Sequence, residues 1–172
     1  MNAALSRRRL LACALPGLAL ASLEWPNAAR AIEPGQTVPA TSVAGTTATL
    51  PLIDGKSRAT YVDFWASWCG PCRQSFPWMN RMHAKFSASG LRIVAVNLDA
   101  DAADARRFLA QLPASFTVAF DPSADLARRM GIKTMPSSVL ADAHGKVVST
   151  HGGFVPEDAA ALEAMIASLL AA

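Results

Sequence analysis

The sequence holds little of what builds a stapled or a membrane-spanning protein. Three cysteines in 172 residues are too few for the disulfide frameworks of small secreted scaffolds. No apolar run reaches the roughly 18–20 residues that a membrane-spanning helix needs. No segment repeats at a period of about 20–50 residues and no low-complexity tract stands out, which sets aside solenoids and arrays. Charged residues make up only 17% of the chain and aromatic ones 7%. The apolar fraction of 52% is still enough to bury a core, and the length suits one domain of ordinary size.

Positive charge is scarce where it would matter. The formal net charge is +3, but the first 31 residues carry Arg7, Arg8, Arg9 and Arg30 against Glu24 alone. The remaining chain is balanced. It has no electrostatic footprint for nucleic acid, and no nucleic-acid partner is expected.

Residues 1–31 read as an export signal. Arg7 to Arg9 form a charged n-region, Leu10 to Leu23 an apolar stretch interrupted by Pro16 and Gly17, and Ala29-Arg30-Ala31 a small-x-small cleavage pattern. Ser6-Arg7-Arg8-Arg9-Leu10-Leu11 also resembles the twin-arginine export motif. The alternative is an uncleaved anchor helix, the one case in which the protein would stay at a membrane. Leu11-Ala12-Cys13 has no apolar region before it, which argues against a lipid-modified Cys13. Cleavage after Ala31 removes Cys13, leaves Cys69 and Cys72, and places a domain of residues 32–172 in the periplasm, where disulfides form readily.

The body alternates strand and helix patterns. Residues 32–48, rich in Pro, Gly and Thr, read as an extended lead-in. Leu50–Ile53, the turn Asp54-Gly55 and Ala59–Ala66 read as strand, turn and strand. Tyr61-Val62-Asp63-Phe64-Trp65 is nearly all apolar, as a central strand covered on both faces would be. A helix is predicted from near Cys69, with Phe76, Met79, Met82 and Phe86 on one face and Gly90 after it. Leu91–Leu98 is a second buried strand. Asp99–Leu112 is a helix capped by Asp101, with Ala105, Phe108, Leu109 and Leu112 inward. Thr117–Phe120 is a short strand. A helix follows from Asp121-Pro122-Ser123, with Leu126, Ala127 and Met130 inward and Gly131 at its end. Ser137–Leu140 and Lys146–Thr150 flank a turn as an antiparallel hairpin. A last helix begins at Pro156, with Leu162, Met165, Ile166 and Leu169 inward. The fold class is α/β, a mixed sheet with helices on both faces and right-handed crossovers.

Trp68-Cys69-Gly70-Pro71-Cys72 stands between a buried strand and an amphipathic helix. Such a junction aims unpaired backbone N–H groups and the positive end of the helix dipole at the first cysteine. That favours the thiolate, the attacking species, so the Cys69 thiol is expected to ionise more readily than a free cysteine. Two intervening residues let Cys72 close a small disulfide ring, stiffened by Pro71. A half zinc site would need a second pair of ligands, and His83, His144 and His151 form no pair at ligand spacing; no metal and no cofactor is expected. A purely structural disulfide over so short a loop would add little stability.

The block Val62-Asp63-Phe64-Trp65-Ala66-Ser67-Trp68-Cys69-Gly70-Pro71-Cys72-Arg73 resembles the active-site block of thioredoxin-fold oxidoreductases, far more specifically than a bare Cys-x-x-Cys. The likeness covers roughly residues 40–170. Gly131-Ile132-Lys133-Thr134-Met135-Pro136 resembles the family's second signature, which implies a cis Pro136 facing the cysteines. Pro77 matches the family's helix-kinking proline. The leader and an added strand-helix unit over 91–116 are similar to the exported branch typified by TlpA, ResA and the cytochrome c maturation thioredoxins.

The resemblance implies a thiol-disulfide oxidoreductase acting on disulfide- or dithiol-containing proteins. In that reading Cys69 attacks and Cys72 resolves. Asp63, buried and with a raised pKa, takes the proton from Cys72. Trp68, Gly70, Pro71, Met135 and Pro136 line the partner's groove. Trp65 packs beside the site or in the core, Trp78 on the helix surface or in the core, and Met79, Met82 and Met130 read as packing. A membrane thiol-electron donor would supply electrons, and a monomer is expected. Two departures stand out. Gly70-Pro71 is the dipeptide of thioredoxin itself, which favours a reductant. Ala95 occupies the place of a lysine that accompanies the buried aspartate in thioredoxin. The same residues could run as a periplasmic oxidase or isomerase. A copper chaperone would carry a wider cysteine spacing and a distant histidine, and a peroxidase a threonine-rich motif where Ala66-Ser67-Trp68 stands.

Overall fold

Continuous apolar sequence ends up in the middle of the sheet. The computed structural model describes residues 31–172; the export signal read over residues 1–31 therefore lies, but for Ala31, outside the described residues. The chain runs β1 (Ser42–Gly45), β2 (Thr49–Pro51), β3 (Ala59–Trp65), α1 (Cys72–Phe86), β4 (Leu91–Asn97), α2 (Ala102–Gln111), β5 (Thr117–Phe120), α3 (Asp125–Arg129), β6 (Ser137–Asp142), β7 (Val147–Gly152) and α4 (Ala159–Ala171). The strand order is β2-β1-β5-β4-β3-β6-β7. β3 pairs parallel with β4 and antiparallel with β6, and β4 pairs parallel with β5, so the sheet is mixed as the sequence implied. Every residue of β3 is buried.

The two-residue period of the strands sorts side chains onto two layers. Ala59, Tyr61 and Trp65 of β3 and Leu91, Ile93 and Ala95 of β4 join one core with Phe76 and Met79 of α1, Phe108 of α2 and Leu162 and Ile166 of α4. Cys69 and Cys72 belong to this layer. Val62, Phe64, Val94 and Val96 face the other way and pack with Leu126 and Ala127 of α3 and with Ile32 and Val38 of the lead-in. Trp65 and Trp78 are core residues, at 0% and 2% exposure, and Met79, Met82 and Met130 are buried among apolar neighbours. The strand-helix unit over 91–116 is present as β4 and α2.

Three local details differ from the sequence reading. The lead-in contains β1, and the expected strand at Leu50–Ile53 is instead β2, paired with it through Ser42↔Pro51. Leu52 leaves the ladder, its N–H donating to Thr41 O at 2.9 Å while its side chain is fully buried. Helix α1 begins at Cys72 rather than Cys69, because residues 69–71 form a turn closed by Arg73 N–H on Gly70 O and Gln74 N–H on Pro71 O. The last helix is preceded by a single 3-10 turn, Pro156–Asp158.

The remaining junctions follow local chemistry. Asp101 caps α2, accepting from Ala103 N–H at 2.8 Å. Asp121 accepts from the N–H groups of Asp125, Leu126 and Ala127, satisfying the first turn of α3. Gly131 leaves α3 at φ +63°, a conformation glycine adopts without cost. At one border of the sheet lies the short β2 with Pro51 at its end. At the other, Gly35 N–H donates to Val147 O and Val147 N–H to Gln36 O, both at 2.8 Å, so the lead-in covers the first residue of β7.

Candidate active site

The cysteines are delivered by the end of β3. After Trp65 the chain turns, Cys69 N–H donating to Ala66 O at 3.1 Å. Cys69 and Cys72 are disulfide-bonded, with Cα atoms 5.3 Å apart. Cys72 opens α1, and its N–H points at Cys69 Sγ at 3.3 Å. An unpaired donor of the first helical turn, backed by the helix dipole, is thus aimed at that sulfur. Cys69 retains 4% exposure and Cys72 none, so an incoming group meets Cys69 first. Around it Trp68 is 70% exposed, and Gly70 and Pro71 are exposed too.

Asp63 lies beneath. It alternates with Tyr61 and Trp65 on the cysteine-bearing face, is 2% exposed, and its Oδ2 has no hydrogen-bond partner. Burial pushes its carboxyl well above the ordinary carboxylate range, because the charged form loses its water. Its register partners are Ala95 on β4 and Ser138 on β6. The residue beside it on β4 is therefore the alanine expected from the sequence, with no cation in that place. Tyr61, also fully buried, has its phenol pushed up by desolvation and then by the Asp63 charge.

The Met135–Pro136 bond is cis. Pro136 stands one residue before Ser137, the partner of Phe64, and so lies level with the end of β3. Pro136 is buried, with its carbonyl accepting from Gly153 N–H at 2.7 Å, and half-buried Met135 packs on the cluster that holds the cysteines. A cleft of about 190 Å³ along residues 130–134 and 150–152 includes neither cysteine.

Sequence reasoning missed two supports of the site. Asp99 is buried and accepts from Ser67 N–H (3.0 Å to Oδ2), Ser67 Oγ–H (3.1 Å to Oδ1) and Asn97 Nδ2–H (2.8 Å). It clamps the turn that carries Trp68 and Cys69. The only signal was an aspartate just past an apolar strand, which reads equally as a helix start. Arg73 lies 5.0 Å over the Phe108 ring and donates to Gln111 Oε1 at 3.2 Å, tying α1 to α2 beside the disulfide. Among the described residues no group of three or more His, Cys, Asp or Glu could hold a metal ion.

A Cys-x-x-Cys disulfide at a helix start, with a buried carboxyl on the same face of the sheet and a cis proline level with the end of β3, on a mixed sheet covered by helices on both faces, defines a thioredoxin-fold protein with a redox-capable cysteine pair. The chain belongs to the Redoxin family, whose profile matches residues 33–166. It is 31% identical over 99 residues to the thiol-disulfide oxidoreductase ResA of Bacillus thuringiensis subsp. konkukian (strain 97-27), a stretch covering 58% of this chain and 57% of that protein. It is 29% identical over 108 residues to ResA of Bacillus subtilis (strain 168), covering 63% and 60%. The chain thus spans less than two thirds of the length of these curated relatives. A crystal structure of a candidate thiol:disulfide interchange protein DsbE from Chlorobium tepidum is 52% identical, with a TM-score of 0.79, over 81% of this chain and 99% of that one. StoA of Bacillus subtilis, at 22% identity and TM-score 0.64 over 77% of this chain and 99% of that one, shares the fold.

Proposed function

We propose that this protein is an exported thiol-disulfide oxidoreductase that reduces disulfides in partner proteins. The observation that carries the reading is the Cys69–Cys72 pair itself. One sulfur is reachable and faced by a helix-start N–H; the other is shut in, on the sheet face that also holds an unpartnered carboxyl. In the reduced protein the Cys69 thiolate attacks one sulfur of the partner's disulfide and forms a mixed disulfide, and the partner's other sulfur leaves as a thiolate. Cys72 then gives its proton to the Asp63 carboxylate and attacks Cys69 Sγ. The partner's second thiolate is released and the Cys69–Cys72 disulfide remains. Two electrons have passed to the partner, and a membrane dithiol donor restores the pair. Trp68, Gly70, Pro71, Met135 and Pro136 supply the surface on which the partner strand lies.

The thioredoxin-like Gly70-Pro71 pair supports the reducing direction. Cytochrome c maturation, with an apocytochrome disulfide as substrate, is the proposed setting. The export signal, cleaved after Ala31, places the domain of residues 32–172 in the periplasm. Among the described residues no helix is long and apolar enough to cross a membrane.

The test is insulin reduction with dithiothreitol as electron source. Cys69→Ser abolishes it, and Cys72→Ser accumulates mixed disulfides with partners; turnover by Cys69→Ser would overturn the assignment. A reduction potential well above about −200 mV would reverse the direction, making the protein an oxidase or isomerase. An intact Met1 in the exported protein, seen by mass spectrometry, would refute cleavage.

A further inference from the structure

The two borders of the sheet differ. β2 ends one side with three residues and a proline, whereas β7 on the other side runs on past Val147. Gly153 N–H donates to Pro136 O at 2.7 Å, one step beyond the register pair Ser137↔Gly152. In an antiparallel ladder, hydrogen-bonded pairs alternate with non-bonded ones. Ser138↔His151 and Leu140↔Ser149 are therefore the bonded pairs, and Thr150 and Gly152 aim their N–H and C=O groups away from β6. Both residues are exposed, and these outward groups make no hydrogen bond among the described residues.

The lead-in shows what this border accepts. At Val147 it pairs by backbone alone, through Gly35 and Gln36, and Thr37 bridges Lys146 in the antiparallel sense. Towards its N-terminal end it turns away, Gln36 N–H donating to Glu33 O at 3.1 Å, and Ile32 N–H donates instead to Met130 O at 3.0 Å. Between the departing segment and β7 lies the cleft of about 190 Å³, with Ile32, Ile132 and Val139 as apolar walls and Thr150 and Gly152 along it. An apolar cavity of about 150 Å³ takes up benzene, so this one has room for one branched aliphatic side chain. Its side-chain polar groups are engaged within the chain, Ser137 Oγ–H donating to Thr134 O at 2.8 Å and His151 Nε2 lying 3.0 Å from Asp158 Oδ2. Lys133 is the exception. It is exposed, lines the cleft, and has no hydrogen bond or ion pair among the described residues.

We infer that the open part of β7 is a docking edge for an extended segment of a partner protein, one that carries an aliphatic side chain with a carboxylate beside it. The segment pairs with Thr150 and Gly152 as an added strand, seats its aliphatic side chain in the cleft and sets its carboxylate against Lys133. A second copy of this chain answers these demands less well. Its own open edge, Val148-Ser149-Thr150-His151-Gly152, brings no carboxylate to Lys133. The cleft reaches Thr134, next to Met135 of the cis bond, so a docked partner is held at the active-site end of β6 without touching either sulfur. Binding there needs no thiol chemistry.

The probe is a fluorescein-labelled, cysteine-free octapeptide of alternating valine and serine with one central glutamate, titrated into the full-length protein and followed by fluorescence anisotropy. Binding is saturable. Two N-methylated versions each block one set of alternate N–H groups. The version blocked on the side facing β7 loses affinity on the order of tenfold, and the other keeps it. Gly152→Pro, which removes one outward donor, weakens binding about fivefold. Lys133→Glu costs about two- to fivefold, and a peptide with lysine in place of its glutamate restores the loss in that variant. The docking edge is overturned by the absence of saturable binding, or by equal affinity of the two N-methylated peptides. It is also overturned by a dimer in sedimentation velocity that Gly152→Pro dissolves, which gives the edge to a second copy. Should Gly152→Pro fail to fold, the two N-methylated peptides decide the matter on the native protein alone. A native protein inert towards insulin would instead sink the oxidoreductase reading and leave this edge standing.

Discussion

The two layers of the sheet are built differently. The layer under α3 is aliphatic, mostly Val, Leu, Ile and Ala, with Phe64 and Met130. The layer under α1, α2 and α4 holds every ring–ring contact found among the described residues. Trp65 and Phe76 lie 4.8 Å apart, Phe76 and Phe108 4.9 Å, and Tyr61 and Trp78 5.6 Å. It also holds the cysteines and buried polar atoms left without partners, Asp63 Oδ2, Trp65 Nε1 and Trp78 Nε1. Orphaned polar atoms cost stability, and here they sit in the reactive layer. One side of the sheet is scaffold; the other tolerates strained polarity next to its chemistry.

The largest test of that division is a pair of truncations. Phe76→Ala, which empties the centre of the aromatic cluster, costs about 3–5 kcal/mol in urea unfolding, and Leu126→Ala on the opposite layer about 2–5 kcal/mol. Only Phe76→Ala lowers insulin reduction per folded molecule, because Phe76 lies one turn along α1 from Cys72. Equal losses of activity in both variants would erase the distinction.

A smaller effect, of opposite sign, is expected at Asp63. Its raised pKa means that the folded chain holds a proton the unfolded chain has already lost. Stability therefore falls as pH climbs from the ordinary carboxylate range towards that raised value. Asp63→Asn lacks this fall. Above that window the oxidised variant is more stable than the native protein by about 1–3 kcal/mol, the cost of an unpartnered buried group, while reducing insulin more slowly. Melting curves of both proteins over a pH series check it, and parallel curves would show that Asp63 is solvated after all. The smallest effect comes from the edge of the reactive layer. Asp101→Ala removes the cap of α2 and about 1 kcal/mol of stability. Insulin reduction is unchanged, unless α2 positions Phe108 and Arg73 more tightly than their contact implies.

The sequence made the centre of this fold legible and its margins less so. β3 and β4 announce themselves because burial on both faces demands an unbroken apolar run. β1 does not, because Ser42-Val43-Ala44-Gly45 has a single buried side chain, Val43, and owes its strand to pairing with β2 and β5. The Cys-x-x-Cys block was plain from local spacing. The start of α1 shifted by three residues, since Gly70 spends its carbonyl on a turn to Arg73 and the first helical bond is Ser75 N–H on Pro71 O. The Asp99 clamp joins residues 32 apart in sequence, and the placement of Asp63 between Ala95 and Ser138 exists only once three strands have taken their register. Neither has a local pattern, so neither could be read before the chain was folded.

The borders of the sheet carry one more consequence. Pro51 closes one side with a residue that has no donor to offer, and Gly35–Gln36 already occupy backbone groups of Val147 on the other. A second copy approaching from the β2 side finds only a three-residue strand on which to knit its sheet. That border carries its own brake on fibrous assembly.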